Sequence, residues 1–143
     1  NKTTLRKVAK LLVTGASGFL GKHLLDELQS SFMIESLART NANILTDLAT
    51  ETPVFTNTYD LVIHAAGLAH LTNIDAATKS LFAQINVEGT KRLCEAFEQS
   101  GALPSRFVFI SSVAVYGKEE GELITEDFPL NGSSPYAASK IAA

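Results

Sequence analysis

The sequence has little of what marks a secreted, membrane or nucleic-acid-binding protein. Its 143 residues contain one cysteine, Cys94, so no internal disulfide can form, and we expect Cys94 to be a buried helix residue in a reducing compartment. No apolar run approaches the roughly 20 residues that a bilayer-spanning helix needs. The first residues, Asn1 to Lys10, are polar and basic, without the apolar core of a signal peptide. These absences predict a soluble, cytoplasmic protein that does not enter a membrane.

Charge is also sparse. The formal net charge is −3 and no basic cluster stands out, which argues against nucleic acid as a partner. No spacing typical of metal ligands surrounds Cys94, so we expect no metal site. Hydrophobic residues make up 45% of the chain and charged residues 19%, the balance of an ordinary globular protein. The length and this balance predict one domain, with residues 1–9 as a lead-in.

A glycine-rich turn lies between an apolar run and an amphipathic run near the N-terminus. The turn, residues 14–21, has the sequence TGASGFLG; Leu11-Leu12-Val13 precedes it, and the amphipathic run continues to Leu28. This order predicts a strand, a turn and a helix, whose free N–H groups and positive end favour a phosphate. The GxxGxxG spacing is one residue longer than the common GxGxxG motif, and close packing of small residues is the alternative explanation.

Strand-like and helical runs alternate along the whole chain. The predicted strands cover residues 10–14, 33–38, 43–46, 61–65 and 106–111. The predicted helices cover 18–30 and 75–100, and a third begins at Ser134-Pro135. A poorly defined crossover with room for one short helix follows the third strand, and a polar loop covers 117–134. The alternation predicts an α/β fold of the Rossmann type, with three αβα layers around a parallel sheet.

Two of the predicted helices carry an apolar stripe at helical spacing, which we expect to be buried. The stripe of the first helix consists of Leu20, Leu24, Leu25 and Leu28. The stripe of the long helix consists of Leu81, Phe82, Ile85, Leu93 and Phe97, before a C-terminal stop at Gly101.

Candidate ligand-binding residues follow the predicted strands, because ligands of such sheets bind beyond the C-terminal strand ends. Arg39 follows the second strand, where an arginine can pair with the 2′-phosphate of NADP and an acidic residue would favour NAD. A solvated arginine is the alternative. Asp47 ends the third strand and can accept a hydrogen bond from an adenine amino group, cap a helix, or both. The small residues Ala65-Ala66-Gly67 leave room for a flat cofactor or for tight helix packing.

Two histidines lie near the end of the fourth strand. His64 is in an apolar run and is expected to be a packed core residue. His70, in the loop beyond, is the better candidate for touching a substrate, although a surface position is equally compatible with the sequence.

A serine, a tyrosine and a lysine complete the candidate chemistry. Ser112 follows the fifth strand, and Tyr136 and Lys140 are four residues apart on the last helix, so they share a face. An ammonium beside a phenol stabilises the phenolate, which lets the tyrosine exchange a proton with a substrate hydroxyl or carbonyl while a nicotinamide exchanges a hydride. Ser112 can hold the substrate oxygen. A lone YxxxK more often marks a helix surface, but here it follows the glycine turn and the serine in chain order.

These motifs together resemble the extended short-chain dehydrogenase/reductase family, and within it the NAD-dependent epimerase/dehydratase branch that acts on nucleotide-sugars. The motifs are TGASGFLG (14–21), DL (47–48), DLVIHAAG (60–67), NVEGT (86–90), SSVAVYG (111–117) and SPYAASK (134–140). The resemblance implies an enzyme with Tyr136 as acid/base, Lys140 on the nicotinamide ribose, Ser112 as the catalytic serine, and Asn86 as a supporting asparagine. The cofactor-binding set that it implies is Gly15, Ser17, Gly18, Phe19, Leu20, Gly21, Arg39, Asp47, Leu48, Ala65, Ala66, Gly67, Ile110, Tyr136 and Lys140.

Three departures from the family pattern refine this expectation. Arg39 stands where many NAD-using epimerases carry an acidic residue, so the cofactor is NAD or NADP with a lean toward NADP. Val113-Ala114 follow Ser112, whereas sugar dehydratases carry an acidic pair there. Family members are about twice as long, so we expect residues 1–143 to be the N-terminal, cofactor-binding part, inactive alone without the remaining strands and the substrate lobe.

The leading function is therefore nucleotide-sugar epimerisation by a homodimeric full-length protein. A net reductase of a keto-sugar or other ketone, using NADP, is the alternative. A cofactor-sensing protein without catalysis is the third possibility, and the complete set of Ser112, Tyr136 and Lys140 argues against it.

Overall fold

A five-stranded parallel sheet forms the centre of the molecule. The computed structural model describes residues 8–69 and 75–143. The strands are β1 (Lys10–Thr14), β2 (Met33–Ala38), β3 (Ile44–Leu45), β4 (Leu61–His64) and β5 (Arg106–Phe109). Their order in the sheet is β3-β2-β1-β4-β5, and all pairs are parallel. The predicted Rossmann-type fold is confirmed, although β3, β4 and β5 end earlier than the apolar runs suggested.

Strand β1 is central and has a core on each of its faces. Leu11, Leu12 and Val13 have no solvent exposure. Leu12 packs in a cluster with Leu93 and Phe97, whereas Leu11 and Val13 contact the opposite cluster, which includes Ile63. Because successive side chains of a strand point to opposite faces, this apolar run supplies both layers at once.

Helix α1 (Phe19–Leu28) covers one face of the sheet. Leu24, Leu25 and Leu28 pack against the core as predicted, but Leu20 is 43% exposed, so its predicted burial is wrong. The buried residue in its place is Gly21. The helical spacing therefore runs from position 21, where a side chain would collide with the Gly15 carbonyl.

The segment predicted as one long helix has three parts. Helix α2 (Ala76–Phe82) leads into a π-helical segment (Ala83–Glu88), and α3 (Gly89–Ser100) follows. Asp75 caps α2 by accepting a hydrogen bond from Thr78 N. The Thr90 hydroxyl donates to the Asn86 carbonyl at 2.6 Å. In a regular α-helix this carbonyl would accept its hydrogen bond from a backbone N–H four residues later. Such local competition accompanies departures from α-helical geometry.

The long apolar stripe is confirmed in part. Phe82, Leu93 and Phe97 are buried, whereas Leu81 is 38% exposed. Leu81 and the half-buried Ile85 line a cleft rather than the core, so their predicted burial is wrong.

Cys94 is exposed, which contradicts the prediction of a buried thiol. The buried face of α3 consists of Gly89, Thr90, Leu93, Ala96 and Phe97. Cys94 follows Leu93 directly and is rotated away from that face by one helical step.

The crossover from β3 to β4 contains no helix. Residues 48–50 form a turn and the rest is extended or irregular. Its aromatic side chains hold it against α3 and β2. The Phe55 ring stacks on that of Phe97 in α3 with centroids 4.5 Å apart, and the buried Tyr59 donates a hydrogen bond to Glu35 in β2 at 2.6 Å. These contacts replace the short helix for which the sequence left room.

The last helix, α4 (Pro135–Ala142), begins as predicted. The Ser134 hydroxyl accepts a hydrogen bond from Ala137 N, and Pro135 occupies the first helical position. A short 3₁₀ helix (Val113–Tyr116) follows β5, and residues 117–134 contain no helix or strand. No helix in residues 8–69 and 75–143 is long and apolar enough to cross a membrane.

Candidate cofactor cleft and active site

A cleft of about 420 Å³ lies at the C-terminal ends of β1, β2 and β4. This is the edge at which parallel sheets of this type bind ligands, and the volume lies in the range of small-molecule sites. Nine predicted cofactor-binding residues line it: Gly15, Ser17, Gly18, Arg39, Asp47, Leu48, Ala65, Ala66 and Gly67.

The glycine turn is shaped first by packing inside the protein. Gly15 has a φ of +71°, and a Cβ there would lie 2.6 Å from Ala66 N. A Cβ on Gly21 would collide with the Gly15 carbonyl. Gly18 differs, because it is exposed and is the N-cap of α1 without a side-chain hydrogen bond to the helix. The open N-terminus of α1 therefore lies beside Gly18, a residue that lines the cleft.

The loop after β3 forms the second end of the cleft. Asp47 accepts a hydrogen bond from Ala49 N at 3.0 Å, and Leu48 is buried. Arg92, on α3, donates from Nη1 to the carbonyls of Leu48 at 3.0 Å and Ala49 at 2.9 Å. These two hydrogen bonds from one nitrogen fix the loop that carries Asp47. Sequence reasoning missed them because nothing in the α3 pattern distinguishes Arg92 from a surface arginine.

Lys140 is almost fully buried beside Gly67, a residue that lines the cleft after β4. It is 8% exposed, its Nζ donates to the Ile110 carbonyl at 2.9 Å, and Nζ lies 4.7 Å from the centroid of the Phe109 ring. Burial lowers the pKa of this ammonium from its ordinary value. A Cβ on Gly67 would lie 3.2 Å from Nζ, so the ammonium reaches the small residues at the end of β4.

Asn86 holds three parts of the site together from the π-helical segment. Its Oδ1 accepts from Leu68 N at 2.7 Å, and its Nδ2 donates to the Leu68 carbonyl at 3.0 Å. Nδ2 also donates to Ser139 Oγ at 2.8 Å, and Ser139 in turn donates to the Tyr136 carbonyl. The amide side chain thus joins the loop after β4 to helix α4.

Tyr136 and Ser112 lie on neighbouring elements. Tyr136 is half-buried on α4, one turn before Lys140, and its ring centroid lies 6.2 Å from that of Phe82. Ser112 caps the 3₁₀ helix by accepting a hydrogen bond from Ala114 N at 3.2 Å, and α4 packs against that helix. The half-buried Ser112 therefore stands on an element that supports α4.

The family model described as "NAD dependent epimerase/dehydratase family" matches residues 11–143. The chain belongs to this family. The UDP-glucose 4-epimerase of Bacillus subtilis (strain 168) is 33% identical over 154 residues, which cover 92% of this chain and 44% of that protein. The chain therefore spans less than half the length of this curated relative.

Solved structures of similar proteins carry nicotinamide cofactors. MoeE5 in complex with UDP-glucose and NAD superposes with a TM-score of 0.75 at 32% identity, covering 93% of this chain and 46% of that one. RMD from Pseudomonas aeruginosa complexed with NADPH superposes with a TM-score of 0.74 at 33% identity, covering 94% of this chain and 47% of that one. The chain thus resembles one part of a protein solved with NAD and one part of a protein solved with NADPH.

Some residues predicted from the epimerase/dehydratase motifs do not line the cleft. The Phe19 side chain is 83% exposed and lies against His23 with ring centroids 4.4 Å apart. Leu20 is exposed, and Gly21 is buried in the packing of α1. Ile110 enters the site through its carbonyl, which accepts from Lys140. His70 lies outside the described residues.

Proposed function

We propose that the intact protein is an NAD(P)-dependent nucleotide-sugar epimerase-type enzyme in which Tyr136 is the acid/base. The observation that carries this proposal is the buried Lys140 ammonium, held by the Ile110 carbonyl, one helical turn from Tyr136 and against Gly67 in the cleft. Burying an ammonium costs free energy, so a purely structural role is a poor explanation for it. The relatives that act on UDP-glucose support a nucleotide-sugar as the substrate class.

The residues present fit a dinucleotide along the length of the cleft. The uncapped N-terminus of α1 at Gly18 suits a pyrophosphate, and Asp47 with Leu48 suits an adenine. Phe19 and Leu20 would contribute through their backbone, because their side chains face solvent. Ala65, Ala66 and Gly67 leave space beside the sheet edge, and Lys140 suits the nicotinamide ribose. A bound nicotinamide cofactor would supply reversible hydride transfer at a sugar carbon.

The side chains would manage the proton and the orientation of the substrate. The Tyr136 phenolate would take the proton of the sugar hydroxyl as that carbon is oxidised, and the resulting phenol would return the proton on reduction. The Lys140 ammonium would stabilise the deprotonated phenol, and Ser112 Oγ would hold the substrate oxygen by a hydrogen bond. Asn86 would keep α4 in place through Ser139. Homodimerisation and a cytoplasmic location are part of the same proposal.

The test is a Tyr136→Phe variant of the intact protein, assayed for interconversion of UDP-sugars. Turnover should fall by a factor of about 10² to 10⁴, while cofactor binding changes little. Tyr116→Phe is the matched control, since its ring packs on Phe128 with centroids 6.0 Å apart and has no part in the proposed chemistry. Full activity of Tyr136→Phe would overturn the assignment.

A net NADP-dependent reduction of a keto-sugar or ketone is the second candidate, and Arg39 at the cleft favours it. The NADPH complex of a similar structure supports the same alternative. Cofactor absorbance separates the two candidates: an epimerase shows no net change, whereas a reductase consumes reduced cofactor. A cofactor sensor without catalysis would bind the cofactor and convert no sugar in either assay.

A further inference from the structure

A buried chain of hydrogen bonds runs through His64, a residue to which the proposed chemistry gives no role. The His64 Nδ1 lies 2.6 Å from Thr14 Oγ1, and its Nε2 lies 2.9 Å from Thr90 Oγ1. At one end Ala66 N donates to Thr14 Oγ1 at 3.2 Å. At the other end Thr90 Oγ1 donates to the Asn86 carbonyl at 2.6 Å. All three side chains are buried.

The positions of the protons in this chain follow from the donors and acceptors available. A carbonyl only accepts, so the Thr90 hydroxyl proton points to Asn86 and Thr90 Oγ1 must accept from His64 Nε2–H. Thr14 Oγ1 accepts from Ala66 N–H, and its own proton points to His64 Nδ1. Every proton then has one acceptor, which specifies a neutral imidazole with its proton on Nε2.

The two ends of this chain belong to different parts of the cleft. Ala66 lines the cleft at the end of β4, whereas Asn86 lies in the π-helical segment and bonds to Leu68 and to Ser139 of α4. We propose that His64 is a positioning residue that sets the end of β4 and the Asn86 segment at a fixed distance and angle. This inference rests on the function proposed above, because it assigns the first end to cofactor binding and the second to turnover.

The two threonines separate these effects. Thr90→Val keeps the shape of the side chain but removes the bond to the Asn86 carbonyl, so we expect turnover to fall about tenfold with cofactor affinity within about twofold of the wild type. Thr14→Val removes the bond from Ala66 N, so we expect cofactor affinity to fall about fivefold with turnover little changed. Loss of a buried hydrogen bond also lowers stability, so a control is needed.

Tyr59→Phe is that control, because it removes a side-chain hydrogen bond, to the Glu35 carboxylate, from a side chain outside the cleft and the hydrogen-bond chain of His64. It should lower stability at least as much as the threonine variants, because the bond is charge-assisted, and leave both turnover and affinity unchanged. Substitutions of His64 provide a second, independent split. An asparagine amide can replace Nδ1 and keep the link to Thr14, whereas a glutamine amide can replace Nε2 and keep the link to Thr90. His64→Asn should therefore lose turnover, and His64→Gln should lose affinity.

The experiment uses the intact protein with NAD and NADP as probes and with UDP-sugars for turnover, together with ¹⁵N NMR of the His64 ring. We expect a neutral ring with its proton on Nε2, with and without cofactor. A proton on Nδ1 would overturn the proton positions assigned to the hydrogen-bond chain. The positioning role alone would be overturned if the protein binds cofactor but Thr14→Val and Thr90→Val have the same affinity and turnover as Tyr59→Phe. A wild-type protein that binds neither cofactor would overturn the proposed function as well.

Discussion

Lowering the pH from 7 to 5 should destabilise the fold through His64. The side chain is 1% exposed, and burial, with a smaller contribution from the Lys140 charge, lowers its pKa from 6.5 to about 4. A second ring proton, on Nδ1, would also take the place of the Thr14 hydroxyl proton, which would then lose the acceptor that it has in the neutral state. Between pH 6.5 and 4 the imidazole is therefore mainly neutral in the folded protein and mainly protonated in the unfolded chain.

The sign and size of the effect follow from the two pKa values. Between pH 6.5 and 4 the unfolded chain binds more protons than the folded one, so stability is present above pH 6.5 and is lost as the pH falls. A difference of 2.5 units, from 6.5 to about 4, corresponds to about 3 kcal/mol. About 2 kcal/mol of this falls between pH 7 and pH 5.

The two carboxylates with lowered pKa values, Glu35 and Asp75, contribute little to the change in stability between pH 7 and pH 5. Burial opposes the hydrogen bonds from Tyr59 and Asn57 and the charge of Lys10, but together they hold the pKa of Glu35 below its ordinary 4.5. Hydrogen bonds from Thr78 hold the pKa of Asp75 below its ordinary 3.8. Both carboxylates therefore lose their stabilising effect mainly below pH 5.

The assay is denaturant unfolding of the intact protein at pH 7, 6 and 5, compared with His64→Gln, which does not titrate. The wild type should lose about 2 kcal/mol more than the variant over this range. Equal losses in the two proteins would show that His64 is accommodated as a cation, and would refute both the burial argument and the hydrogen-bond chain through a neutral imidazole.

Three further predictions concern the cleft. Arg39→Asp should weaken NADP binding by about 1–3 kcal/mol relative to NAD, because it replaces a cation with an anion at the expected 2′-phosphate position. Paired titrations with the two cofactors measure this difference, and an unchanged ratio of the two affinities would contradict the prediction. Arg92→Met removes two hydrogen bonds to the loop after β3, so the affinity for both cofactors, measured by calorimetry, should fall about tenfold. An unchanged affinity would show that the loop keeps its conformation without Arg92. Lys140→Met should lower turnover at least 100-fold in the UDP-sugar assay, and activity near that of the wild type would exclude a role for the ammonium.

The sheet could be predicted from sequence because each strand is a short apolar run between polar or small residues. Leu11-Leu12-Val13 is apolar at consecutive positions, which is the pattern of a strand buried on both faces. Ser134-Pro135 likewise specifies a helix start by local chemistry alone. The right-handed crossover rule predicts parallel neighbours, but the strand order β3-β2-β1-β4-β5 is a finding of the structure.

The features that the sequence did not predict arise from contacts between distant residues. The π-helical segment is accompanied by bonds from Asn86 to Leu68 and from Thr90 back to Asn86, and no local periodicity encodes them. Leu81 fits the helical stripe, which predicts burial in the core, but the cleft occupies that side of the helix. Arg92 contacts Leu48 and Ala49 in the loop after β3, which lie 44 and 43 positions before it in the chain.

The glycines themselves allow the packing explanation to be separated from the binding one. A Cβ on Gly21 would collide with the Gly15 backbone, which cannot move without shifting the turn, so Gly21→Ala should cost roughly 1–3 kcal/mol of stability whether or not a cofactor binds. A Cβ on Gly67 would instead meet the ends of two side chains, Asn86 Oδ1 at 3.1 Å and Lys140 Nζ at 3.2 Å. Gly67→Ala should therefore spare stability to within about 1 kcal/mol but reduce turnover, because the Lys140 ammonium must shift. Denaturant unfolding and UDP-sugar turnover of the two variants decide between these effects: a Gly67→Ala protein with normal turnover would mean that this end of the cleft is kept small for packing alone.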